Sequence, residues 1–102
     1  MLVCVIEFGT RPGMEERVAA LLAELLVEAG KIDGFVSKES FVSKNRPDKT
    51  ISLSYWRDDA ALDAWMANAA HRRAIKTGNE ELFSHYTIQI ARVVREKSWD
   101  AG

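Results

Sequence analysis

The stretch from Thr50 to His71, T-I-S-L-S-Y-W-R-D-D-A-A-L-D-A-W-M-A-N-A-A-H, changes its periodicity partway along. That change constrains the fold more than any other feature of the chain. Ile51, Leu53 and Tyr55 alternate with Ser52, Ser54 and Trp56, which is the period of two of a pleated strand. Asp58 or Asp59 can then cap a helix by accepting from free backbone N–H groups. Leu62, Trp65, Met66 and Ala69 follow at helical spacing. A strand therefore delivers Trp56 to its end, and the next helix lays Trp65 back against the same sheet. His71 falls where that helix is expected to end. Two indoles and an imidazole near one end of a sheet point to a lined pocket, while the competing assignment makes both indoles plain core.

The flanking segments supply the other elements. Leu2 to Phe8 reads as a first strand with Leu2, Cys4, Ile6 and Phe8 on one face and Val3 and Val5 on the other. Gly9 to Gly13 is a turn cluster. Met14 to Ala29 is a helix with a stripe of Met14, Val18, Leu21, Leu22, Leu25 and Ala29, and Glu15 and Glu16 complement its positive end. Phe35 to Ser43 is a second strand, joined to the third by the polar turn Lys44–Lys49. Arg72 to Lys76 and Glu80 to Phe83 form short helical turns around Gly78, and His85 to Lys97 reads as a long last strand. Its apolar phase changes near Ile90–Arg92, as at a bulge or where a strand leaves its sheet.

The resulting order, β-α-β-β-α-β, is the α+β ferredoxin-like arrangement with an antiparallel sheet. At 102 residues the chain is expected to form one domain, 1–102, with one core. Two long helical patterns cover only one face of such a sheet. Val3 and Val5, with Trp56 or Ala91 and Val93, need cover on the other. A second copy of the sheet would supply it, so a homodimer is expected.

Bulk properties exclude several function classes. A net charge of -1 favours neither nucleic acid nor an anionic membrane. The basic residues Lys44, Arg46 and Lys49 lack interleaved aromatics and read as a solvated loop tip. The lone cysteine, Cys4, cannot form an intramolecular disulfide, which fits a cytoplasmic protein, and its apolar neighbours point to a buried, inert thiol. The apolar start is cut short by Glu7, too soon for a signal peptide or a membrane span. His71, His85 and Cys4 show no metal-ligand spacing, and no phosphate loop or dinucleotide fingerprint is present.

The element order, the junction S-L-S-Y-W-R-D-D-A-A-L-D-A-W, the following A-H-R-R-A, Gly78 and the closing H-Y-T-I-Q-I-A-R-V-V-R together resemble the antibiotic biosynthesis monooxygenase family. The resemblance implies a ferredoxin-like protomer pairing into a dimeric α/β barrel, with a pocket between the sheet and its helices. It covers oxygenases without cofactors, quinol oxygenases, haem-degrading enzymes and isomerases, so it is specific for fold and poor for chemistry. Haem-degrading members use an Asn on strand one, the Trp of the second helix, and a His nine or ten positions beyond that Trp. Trp65 matches, but Leu2–Phe8 contains no Asn, and Ala74 and Ile75 stand where the His should be. Haem degradation of that type is disfavoured.

Histidine is the default general base near neutrality. His71, beside the expected pocket, is the candidate catalytic residue, against the alternative of a capping or packing histidine. His85 is assigned to the rim. Trp56, Trp65 and Tyr86 are the candidate substrate-binding walls. These readings converge on a cofactor-independent monooxygenase-like enzyme acting on a small aromatic, phenolic or quinol molecule, with no metal. The alternatives are a dimeric protein that merely binds a small hydrophobic ligand, and an isomerase on the same scaffold.

Overall fold

The computed structural model describes residues 1–102. Four strands, β1 (Leu2–Thr10), β2 (Phe35–Val42), β3 (Lys49–Trp56) and β4 (Phe83–Arg92), form one antiparallel sheet in the order β2-β3-β1-β4. Helices α1 (Glu15–Ala29), α2 (Asp59–Ala67) and α3 (Ala69–Thr77) lie on one face, and a π-helical turn, Gly78–Leu82, leads into β4. The expected ferredoxin-like order therefore holds, with the second helix divided in two.

The division has a local cause. Asp58 caps α2 by accepting from the Ala61 N–H at 2.9 Å. At Asn68 the backbone turns extended, with φ -62° and ψ 131°, which stops α2. The Asn68 side chain then accepts from the His71 N–H at 3.0 Å and starts α3. His71 thus sits in the first turn of a new helix, not at the end of the old one.

Register fixes which side chains meet the helices. Cys4 pairs with Ser54 on one side and Ile90 on the other, and Ile6 pairs with Ser52 and Ile88. Leu2, Cys4, Phe8, Ser52, Ser54 and Trp56 are buried on the helix side. Ile51, Leu53 and Tyr55 alternate away from them, onto the open face beside Val3 and Val5. Trp56 therefore needs no cover from a second sheet. The open face stays apolar without it, and Val36 and Phe41 add exposed apolar surface on β2.

The last strand begins earlier and ends sooner than its pattern predicts. Its alternation against β1 is regular through Arg92↔Leu2, and the Val93 N–H still donates to Met1 O. Residues 93–102 then leave the sheet, so the phase change near Ile90 marks a departure. Val94 and Trp99 are 90% and 84% exposed on that tail. No helix is long and apolar enough to cross a membrane.

Candidate active site

The core is split. One cluster gathers Leu2, Cys4, Leu25, Ala29, Trp56, Ala61, Leu62, Trp65 and Ala74, and another gathers Phe8, Val18, Leu82 and Phe83. Ile6 and Leu21 touch both. Between the clusters lies a cavity of about 30 Å³, room for a water or a hydroxyl-sized group. Leu21, Leu22 and Leu25 of α1 roof it, Ile6, Phe8, Ser52 and Ser54 form its sheet side, and Trp65, His71 and Phe83 close it. The gap exists because β3 presents serines to the helices. Small hydroxyl side chains at two successive inward positions leave space that larger apolar ones would fill.

Trp65 forms one wall. It is 3% exposed, and its ring lies 4.6 Å from the His71 ring, tilted 38°. On its other side it stacks on Trp56 at 5.6 Å and 23°. Trp56 itself is fully buried behind it, edge-on to Phe35 at 5.3 Å, with its Nε1–H donating to Ser54 Oγ at 3.0 Å. It supports the wall and does not line the cavity. Tyr86 is 38% exposed on edge strand β4 and lines a separate open groove of about 520 Å³ with Met66 and Ile88. His71 and Ile75 belong to both spaces. The structure thus joins Trp65 and His71 directly, sets Tyr86 on the groove that His71 also lines, and moves Trp56 one layer back.

His71 is 4% exposed, and its Nδ1 is a buried ring nitrogen with no hydrogen-bond partner in the protein. Burial, helped by the Lys38 ammonium, pulls its pKa from 6.5 to about 4. The ring is therefore neutral at physiological pH, and the expectation of a titration near neutrality is corrected. His85, in contrast, is exposed and pairs only with Ser84 Oγ at 3.2 Å.

Lys38 escaped the sequence reading. Strand β2 is an edge strand with weak alternation, but its register, Lys38↔Ser54, places the side chain on the helix side. Lys38 Nζ donates to Ser52 Oγ, and the residue lines the same cavity as His71. Burial pushes its ammonium below the ordinary value, and it pushes the neighbouring Cys4 thiol up, where it stays neutral. No group of three His, Cys, Asp or Glu side chains converges as a metal site would require.

The far wall hangs on Arg11. Its Nε, Nη1 and Nη2 donate to the carbonyls of Phe83 at 2.9 Å, Glu80 at 3.2 Å and Asn79 at 3.1 Å. Its backbone N–H donates to Leu82 O at 2.8 Å. One guanidinium thus ties down the π-helical turn that carries Phe83 to the cavity. Gly78 lets that ring close, since a Cβ there would overlap it. Charge-assisted bonds of this kind contribute about 1.5–3 kcal/mol. Arg11→Ala is accordingly expected to speed amide exchange across Gly78–Phe83 by about tenfold or more, while α1 exchanges as before. Unchanged rates in that segment, measured by mass spectrometry, would show that the turn holds without Arg11.

The fold recurs in known proteins. The sequence profile described as antibiotic biosynthesis monooxygenase matches residues 1–77. The jasmonate monooxygenase of Pyricularia oryzae is 28% identical over 93 residues, covering 91% of this chain and 43% of that protein. The chain thus spans under half the length of that relative. A Shewanella oneidensis protein of known structure superposes with a TM-score of 0.80 at 26% identity, over 88% of this chain and 87% of its own. SnoaB, a cofactor-independent oxygenase from Streptomyces nogalater, was solved as a mutant. It superposes with a TM-score of 0.81 over 93% of this chain and 94% of its own, at 13% identity, which speaks for the fold alone. The matched residues carry the split helix, Trp65, His71, Lys38 and the whole cavity wall except Phe83, and on that match the chain belongs to the antibiotic biosynthesis monooxygenase family.

Proposed function

We propose that the protein is a cofactor-independent monooxygenase acting on a small phenol or quinol, with His71 as the proton acceptor. The observation that carries this reading is His71 itself. It is a neutral, buried imidazole with an unpaired ring nitrogen, held against Trp65 on the wall of an apolar cavity. A neutral imidazole has a free lone pair for a phenolic proton. With a pKa of about 4 it is a weak base, so the transfer needs the phenolate to be stabilised as it forms, and that anion is rich enough in electrons to reduce dioxygen. One oxygen atom enters the ring to give a quinone and the other leaves as water, so the substrate supplies every electron. The protein's part is to hold the reactants together and exclude water. The ring of such a substrate exceeds the cavity. The groove lined by Met66, Tyr86 and Ile88, with Arg72 and Lys76 also on its walls, has room for it, with its hydroxyl directed at His71, where groove and cavity adjoin.

Family membership and the monooxygenase relative support the reaction class. A hydroxynaphthalene incubated with the pure protein is expected to be consumed with uptake of oxygen, and to be inert without it. Turnover in the absence of oxygen would replace this reading with an isomerase, and binding without turnover would replace it with a ligand-binding protein.

The same proposal includes a homodimer. Val3, Val5, Leu53 and Tyr55 leave the open sheet face apolar, and Val94 and Trp99 stand exposed on the departing tail. Sheet-to-sheet pairing would cover both, and interfaces built this way are large and core-like. Sedimentation at micromolar concentration is expected to give a dimer; a stable monomer there would remove the argument.

A further inference from the structure

Lys38 is the only Lys, Arg, Asp or Glu side chain on the cavity wall; Arg72 and Lys76 line the adjoining open groove and not the cavity. Its ammonium has three N–H donors, and Ser52 Oγ takes one of them. No carboxylate pairs with it. The titratable groups that face it are His71 from α3 and the Cys4 thiol from β1. Helix α1 offers only Leu21, Leu22 and Leu25, and β4 only Phe83. None of these carries a negative charge at neutral pH. A cation held among apolar groups without a counter-charge is costly, so a ligand that brings an anionic oxygen gains where a neutral one does not. His71 offers no charge to an incoming anion, because its ring is neutral until it takes up a proton.

We infer that Lys38 determines specificity at this site: its ammonium selects ligands that present an ionised hydroxyl, a phenolate oxygen, on an apolar body. This rests on the phenol reading above and deepens it. The two residues then divide the work. His71 receives the proton, and Lys38 holds the charge left behind. A merely structural Lys38 would run its stem along the sheet, bond Ser52 and be indifferent to ligand charge.

The two roles separate in a binding experiment on the full chain with 4-nitrophenol and nitrobenzene, which have nearly the same shape. Across the ionisation of 4-nitrophenol, the native protein is expected to bind the phenolate at least about tenfold more tightly than the phenol, the low end of what a nearby opposite charge does. Lys38→Met keeps the length of the side chain and removes the charge. It is expected to abolish that preference and leave nitrobenzene affinity unchanged. Lys38→Gln serves as a second neutral variant, and a cooperative thermal transition confirms that each is folded. A phenolate preference that persists in both variants overturns the inference, as does failure of the native protein to bind 4-nitrophenol. The outcomes also separate this inference from the oxygenase reading. Phenolate selection without oxygen uptake refutes the oxygenase alone. Oxygen uptake with no charge preference refutes the role of Lys38 alone.

Discussion

Trp65→Ala is expected to cost about 3–5 kcal/mol of stability, the range for removing a large aromatic ring from a packed core. The residue is 3% exposed and joins two layers, stacking on Trp56 at 5.6 Å and lying tilted against His71 at 4.6 Å. Its loss would therefore open a void beside the existing cavity and leave His71 without its ring partner. Most of that cost comes from burial and cavity formation, because an aromatic pair adds only about 0.5–1.5 kcal/mol. The measurement is chemical denaturation of the variant beside the native chain. A loss under about 1 kcal/mol would mean that neighbouring side chains collapse into the space, and that Trp65 is not a fixed wall. If the variant stays folded, an enlarged cavity should also loosen the fit of small aromatic probes, which separates a wall residue from an ordinary core residue.

Much of the fold is legible in periodicity. The switch from period two to helical spacing between Trp56 and Leu62 places β3 and α2, and the stripe from Val18 to Ala29 orients α1. What periodicity does not reveal is which face of a two-faced strand meets the helices. In β3 the apolar set is Ile51, Leu53 and Tyr55, so alternation alone turns it toward the core. The structure turns the serines inward, because Trp56 shares their face and its buried indole, bonded to Ser54 Oγ, anchors that face under the helices. The signal available was a pair of small polar residues leading to a tryptophan, a pattern that leaves a gap beside a bulky anchor.

The site was half legible for the same reason. Trp65 lies on a helix whose spacing predicts its face, whereas His71, expected at a helix end, meets Trp65 because it falls in the first turn of α3. Lys38 lies on an edge strand where charged residues are routine, so its inward direction emerges only from pairing with Ser54. Tyr86 shares the helix-side face of β4, but α2 and α3 leave an open groove over it, and the residue stays 38% exposed. The Asn68 break was hidden because the apolar spacing of Leu62, Trp65, Met66 and Ala69 runs straight across it.

His71→Ala is expected to lower oxygen-dependent turnover by about a hundredfold or more, the usual contribution of a placed acid or base. Its pH signature differs from that of an ordinary histidine. With a folded pKa of about 4, His71 is neutral across the physiological range, and the rate should fall only as pH drops toward 4. That fall should vanish in the variant. The same group links stability to pH. Between about 4 and 6.5 the unfolded chain binds a proton at this position that the folded chain refuses. Stability therefore rises with pH through that window and is lost as pH falls through it. The gap between 6.5 and about 4 amounts to about 3 kcal/mol at full extent. His71→Gln cannot take up the proton, so its unfolding free energy should depend less steeply on pH in that range. The kinetic and thermodynamic tests separate the roles. If His71→Ala keeps full turnover per folded molecule while the acid-range slope disappears, the ring is a packing group against Trp65 and the proton acceptor lies elsewhere. If the slope is the same in native chain and variant, His71 is charged or exposed in the folded protein, and its assignment as a buried neutral base fails.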